Sequence, residues 1–259
     1  MQKGEIVLLE LTGRELESGK VFETSNAEVA KKEGVFSETA RYAPNPVVVG
    51  KGRMIQGVEE ELLKMNVGEE KKIILEPSMA FGDRKPELVG IVPLKEFTAR
   101  KLQPFPGLIV DVNGNAGRVQ SVSGGRVRVD FNSDLAGKTV EYELKIVKKL
   151  ETPVEKAKAI MGKLLGLKLE ELEAEFKAEG GELEIELPES IEKMKEIILM
   201  KQFLKKELAE DIPEAKKISF KGTPVIEGPA GPDHSAEQEG HSHEGHDHSH
   251  EGYEHAHKH

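Results

Sequence analysis

The chain opens on an alternating apolar run, EIVLLEL at 5–11, then a turn-rich ESGK and a second short run, KVFETS. Alternation of period two predicts strands, because successive side chains of an extended backbone point to opposite faces. Residues 26–45 predict an irregular excursion with a helical AEVAKKEG, ending in YAPNP; VVVG at 47–50 is a short strand. From Gln56 to Met65 the spacing becomes helical, with Val58, Leu62 and Met65 on one face. NVGEEKKIILEP then reads as a turn and a strand. The sum is a β-rich unit with one short helix, unfinished at residue 85.

The texture changes over 86–134. Pro86, Pro93, Pro104 and Pro106 punctuate its first half, and the short β runs LIVDV, GRVQSV and GRVRVDF follow. Asn113-Gly114 and Gly124-Gly125 are hairpin-turn signals, so a small antiparallel sheet of four strands is expected. TVEYELKIVKKL at 139–150 is a long alternating strand with no local partner. Its return to the first sheet makes 86–134 an inserted domain within a unit built from 1–85 plus 135–151.

Thr152-Pro153-Val154-Glu155 places Thr at the N-cap, Pro at the first helical position and Glu at the third, a capping box. Val154, Ala157, Met161 and Leu164 form the stripe of that helix, and Gly166 stops it. A hairpin about Gly180-Gly181, a helix from about Glu189 to Ala209 and a strand in KKISFKG complete an α-β-β-α-β unit over 152–222. Four consecutive apolar residues, Ile197 to Met200, exceed one core stripe. The surplus fits a helix buried on two sides, or a face for another domain or a second copy of the chain, as in a homodimer. The fold class is α+β. From 223 to 259 a Pro/Gly linker passes into low-complexity His/Glu/Gly sequence, which is expected to be a disordered tail.

Charge sharpens this division. The 259 residues carry a net −10, yet residues 1–150 hold 23 basic and 22 acidic side chains, and 151–222 hold 13 and 17. Residues 223–259 hold 1 and 8, together with all nine His. The His-free body excludes His bases, Ser-His-Asp triads and His-ligated metal from 1–233. The absence of Cys excludes disulfides, thiolate metal sites and Cys nucleophiles. No region has the basic excess that tracks phosphates, so no nucleic acid is expected as partner. No apolar run approaches the ~20 residues that span a bilayer, so no membrane partner is expected either. MQKGEIVLLEL lacks a signal-peptide layout, which makes the cytoplasm the default location.

Several motifs carry less than they suggest. Gly50-Lys51-Gly52 followed by Gly57 fits neither dinucleotide nor phosphate-loop spacing. Asp111-x-Asn113-x-Asn115 starts like a calcium loop, but Ala116 and Val122 stand where Gly and Glu are needed, so it reads as a hairpin turn. Glu59-Glu60-Glu61 splays over ~100° steps on a short helix and reads as a solvated face.

Three stretches taken together are specific: LELTGRELESGKVFETS at 9–25, GKGRMIQGVEEELLKMNVGEEKKIILEPSMAFGD at 50–83, and LAGKTVEYELKIV at 135–147. In content and order they resemble the FKBP-type peptidyl-prolyl isomerases. The insert between Phe81-Gly82 and Leu135-Ala136-Gly137 resembles the insert-in-flap domain of the SlyD-like members, and the extra unit at 152–222 the long archaeal branch. The resemblance implies a half-barrel antiparallel sheet around one short helix. It implies a catalytic pocket at Leu11, Phe22, Glu23, Met54, Ile55, Val58, Phe81 and Tyr142, with the Ile55 N–H donating to a substrate carbonyl. Leu11 and Phe81 stand where relatives often have Tyr, Glu23 where Asp is usual, and Val58 where the floor is Trp or Leu.

The chemistry suits these residues. Prolyl isomerisation breaks no bond; its barrier of ~20 kcal/mol is lost amide resonance. The twisted amide is less dipolar than the planar one, so a dry apolar cup with one backbone donor favours it and no cofactor is required. In the insert, Ile91, Val92, Leu94 and Phe97 lie in a Pro-flanked segment that so small a sheet half buries, and exposed apolar surface marks a binding site. The resemblance implies that this surface gathers unfolded or proline-containing polypeptides as a chaperone. The tail sets His241 and His243, His246, His248 and His250, and His255, His257 and His259 on alternate residues. In an extended chain these imidazoles lie ~6.5–7 Å apart on one side. Such nitrogen donors suit Ni(II), Zn(II) or Cu(II), with binding fading below pH ~6.5. Two other readings remain at this point: a holdase with weak isomerase activity, and a metal store or metallochaperone.

Overall fold

A computed structural model describes residues 1–177 and 179–221. The chain begins with β1 (Ile6–Glu15) and β2 (Val21–Thr24), then a short α1 (Ala27–Lys32) capped by the Asn26 side chain, which accepts from the N–H groups of Glu28 and Val29. β3 (Asn45–Val48), α2 (Gln56–Leu62) and β4 (Glu70–Leu75) follow. Next come β5 (Val89–Pro93), α3 (Leu94–Ala99), β6 (Ile109–Val112), β7 (Asn115–Ser123) and β8 (Arg126–Asp130), and then the long β9 (Val140–Leu150). The chain continues through α4 (Pro153–Leu165), β10 (Glu173–Lys177), β11 (Glu182–Glu186), α5 (Glu189–Glu192), α6 (Ile197–Asp211) and β12 (Lys217–Phe220).

Three sheets result among the described residues. In the first, β1 pairs β9 on one edge and β2 and β3 on the other, while β9 pairs β4; every pairing is antiparallel. The chain therefore leaves this sheet after β4 and returns between β1 and β4. Val58, Leu62 and Met65 are fully buried against it, and each such burial is worth about 1.5–3 kcal/mol. Gly57 lets α2 approach closely, since a Cβ there would stand 2.3 Å from Leu75 Cδ2.

The second sheet, ordered β5-β8-β7-β6, has its own core of Val92, Phe97, Val110, Val119, Val127 and Val129. Its two tight hairpins place Asn113-Gly114 and Gly124-Gly125 at positive φ, the turns whose twist matches paired strands. The crossings into and out of this sheet are tied together. Asn132 Oδ1 accepts from Lys85 N (2.8 Å), Asn132 Nδ2 donates to Lys85 O (2.9 Å), and Gly137 N donates to Gly82 O (2.8 Å). Beside them Arg84 pairs with the buried Asp130.

The third sheet is β10-β11-β12, with β11 and β12 parallel. α4 carries the expected capping box, and Gly166 ends it in the left-handed region (φ 68°). The core beneath runs on without a break into the outer face of the first sheet: Ile6, Val48 and Leu150 join Ile160, Met161, Leu172, Leu204 and Leu208. The helix expected over Glu189–Ala209 is two helices, joined by 3-10-type bonds (Met194 N to Ile191 O, Ile197 N to Met194 O). No Pro or Gly announces that break. Nor is the apolar run buried on two sides: Ile197 and Met200 pack on the core, while Ile198, Leu199 and Phe203 remain exposed.

Candidate active site

Phe22 is aimed by a β-bulge. Gly13 pairs Glu23 and Arg14 pairs Val21, so Phe22 is the extra residue of β2. Its ring meets Phe81 edge-on (5.6 Å, 87°) and Tyr142 likewise (5.7 Å, 79°), the geometry aromatic quadrupoles prefer. Gly13 makes this cluster possible. It faces Tyr142 on β9 and Glu23 on β2 in the same row, and a Cβ there would lie 2.6 Å from Phe22 Cζ and 2.9 Å from Tyr142 Cε1. Across the gap so left, the Tyr142 hydroxyl donates to Glu23 Oε1. Burial, the Glu23 charge and that hydrogen bond all push the phenol upward, so it stays a donor.

The opposite wall comes from the segment entering α2. Ile55 is the N-cap, extended (φ −60°, ψ 148°), with no side-chain cap. Its N–H donates to no protein group among the described residues. Met54 and Ile55 are half-buried, as are Phe22 and Phe81, and all four pack on the same core. Leu11 and Val58 also belong to it but are buried beneath, so they form floor and not contact surface. The eight expected pocket residues thus come together, with Glu23 at the exposed rim.

Sequence reasoning missed what holds that wall. Glu59 is not part of a solvated face: it is buried, and its carboxylate accepts from Gly50 N (2.6 Å), Arg53 N (2.9 Å) and Met54 N (3.1 Å). The signal available was a Gly-x-Gly loop rich in free N–H groups followed by a carboxylate on the next helix. Arg53 reaches in turn to α6, where Nη1 meets the fully buried Asp211 Oδ2 at 2.5 Å and Nη2 meets Glu207 Oε2 at 3.1 Å.

The expected surface of the insert is corrected. Val92 and Phe97 are buried in its core, and Leu94 is half-buried. β5 alternates Ile91 outward with Val92 inward, and α3 turns Phe97 under the sheet. Exposed apolar side chains are Leu88, Ile91, Leu102, Phe105 and Ile109. The metal-binding candidates at 241–259 lie outside the described residues. Among the described residues no cluster of three or more His, Asp or Glu is placed to hold a metal ion, and no helix is long and apolar enough to cross a membrane.

An aromatic cluster packed on a half-barrel and one short helix, with the Ile55 N–H unpaired among the described residues, is the architecture of a prolyl isomerase. Residues 1–97 match the family model described as FKBP-type peptidyl-prolyl cis-trans isomerase. Residues 90–135 match one described as FKBP26, IF domain, and 153–223 one described as FKBP26 C-terminal. A short-type peptidyl-prolyl cis-trans isomerase of Methanocaldococcus jannaschii is 34% identical over 128 residues, covering 49% of this chain and 82% of that protein. An FKBP-type 16 kDa peptidyl-prolyl cis-trans isomerase of Escherichia coli is 29% identical over 131 residues, covering 44% and 81%. The SlyD isomerase of Helicobacter pylori is 27% identical over 107 residues, covering 40% and 58%. The chain belongs to the FKBP-type peptidyl-prolyl cis-trans isomerases.

Proposed function

We propose that this isomerase binds proline in the cup of Phe22, Met54, Ile55 and Phe81, over a floor of Leu11, Val58 and Tyr142. The single observation that carries the reading is the edge-to-face Phe22–Phe81–Tyr142 cluster on the same core as Ile55, whose N–H donates to no protein group among the described residues. The cup excludes water from the prolyl amide and so favours its less dipolar, twisted form over the planar one. The Ile55 N–H holds a neighbouring substrate carbonyl in register. Tyr142, tethered to Glu23, supplies a ring of fixed orientation. No proton moves and no bond breaks, so groups titrating near neutrality have no part in the step. Phe22→Ala should lower the catalysed rate of a proline-limited refolding reaction at least tenfold with the circular dichroism of the chain kept. An unchanged rate would remove the pocket assignment.

The chaperone role is assigned to the exposed apolar side chains of the insert, Ile91, Phe105 and Ile109 first among them, because a surface this apolar on a small sheet suits unfolded segments. The tail supports a further reading, binding of Ni(II), Zn(II) or Cu(II) by the alternating imidazoles of His241 to His259. Calorimetry with nickel on the full chain and on residues 1–232 checks it. Loss of heat on truncation is expected, and undiminished binding rules the tail out.

A further inference from the structure

The segment 50–55 is gripped from two directions. Glu59 holds it from within the isomerase unit through three backbone N–H groups. The far end of α6 holds it from the C-terminal unit. There Asp211 has a side chain with no solvent exposure, its Oδ2 on Arg53 Nη1 (2.5 Å) and its Oδ1 without a hydrogen bond, 3.7 Å from Lys51 Nζ. Lys51 Nζ also donates to Glu210 O (3.1 Å), and Glu207 takes the other arm of Arg53.

The shared core that joins Val48 to Ile160 ends beside this contact. Beside Arg53 and Met54 lies an open cleft of about 140 Å³ whose far wall is Ile160 and Leu164. The ion pairs cross where apolar contact stops. A buried carboxylate that has lost its water is a stiff partner, because any displacement of the cation leaves it uncompensated. Arg53 is two residues from Ile55, and Met54 between them lines both the cleft and the isomerase core.

We propose that Asp211, acting through Arg53, is a positioning residue for prolyl isomerisation: the C-terminal unit sets the backbone that presents the Ile55 N–H to substrate. The proposal rests on the pocket assigned above. Loosening the ion pair lets the 50–55 segment sample other conformations, so substrate binding weakens more than turnover on bound substrate.

The test uses the full chain and a short prolyl peptide. Arg53→Gln, at an exposed side chain, leaves Lys51 beside the Asp211 carboxylate and so keeps the fold even if the buried Asp211→Asn does not. Each substitution should raise KM roughly three- to tenfold with kcat changed less than twofold, the scale at which a misplaced binding group is felt. The double variant should lose no more than either single one, since both cut the same tie. The Ile55 amide resonance should move in each. A merely structural role would lower thermal stability and leave KM of the folded protein and the Ile55 amide unchanged, and that outcome overturns the proposal. Phe22→Ala run in parallel separates the two failures. If it abolishes activity while Arg53→Gln does nothing, only the coupling falls; if Phe22→Ala is inert, the pocket itself is wrong.

Discussion

Tyr142 shows how one absent side chain shapes a site. Gly13 leaves room for its ring to lie across β1, and its hydroxyl then reaches Glu23 two strands away. Leu11 and Phe81, where the family resemblance anticipates Tyr, bring no hydroxyl to the site; the phenol present is that of Tyr142 on β9. Burial and the carboxylate raise its ionisation above the ordinary value near 10. In the unfolded chain tyrosine gives up its proton near pH 10 while Tyr142 in the fold keeps its own, so stability falls as pH rises past that point. Tyrosinate absorbance of the folded chain, titrated to pH 11, should therefore be the same for the native sequence and Tyr142→Phe. Extra tyrosinate in the native chain would show that the hydroxyl is not held as described.

At the scale of elements, the loop 50–55 depends on Glu59. Glu59→Gln keeps the shape but turns an amide N–H₂ toward backbone donors, leaving at least one unsatisfied. It should cost about 1–3 kcal/mol in urea denaturation, with part of that loss appearing below the midpoint as faster amide exchange at Gly50, Arg53 and Met54. Elements whose causes are local were legible in the sequence. The Thr152–Glu155 box, Gly166 and the two Gly-containing hairpins each specify their own geometry within four residues. Glu59 was not legible, because its partners belong to a loop whose unpaired N–H groups only the folded backbone reveals. The 193–196 break lacks any sequence marker, and Phe97 read as surface because α3 turns under its sheet only once β5 has paired with β8. The residues of the expected pocket share one core because chain order and spacing bring them together even where side chains have changed.

For the whole molecule, the proposed division of labour puts client binding on the insert, where Ile91, Phe105 and Ile109 are exposed. Replacing Phe105 and Ile109 with Ser should slow catalysed refolding of a protein substrate several-fold while leaving isomerisation of a short peptide within about twofold, as expected for surface changes away from the core. Equal losses on both substrates would end that division of labour. The crossings at 82–85 and 132–137 have a further consequence. Gly82 and Gly137 are already joined by a backbone hydrogen bond of 2.8 Å, so the ends of the insert touch. A guest of any length spliced there closes its loop at no strain to the host sheet, and its removal leaves a gap that a tight turn can span. The insert is thus an exchangeable cartridge by its geometry, and under the client-binding role proposed above a swap changes client choice while the cup of Phe22, Phe81 and Tyr142 stays as it is.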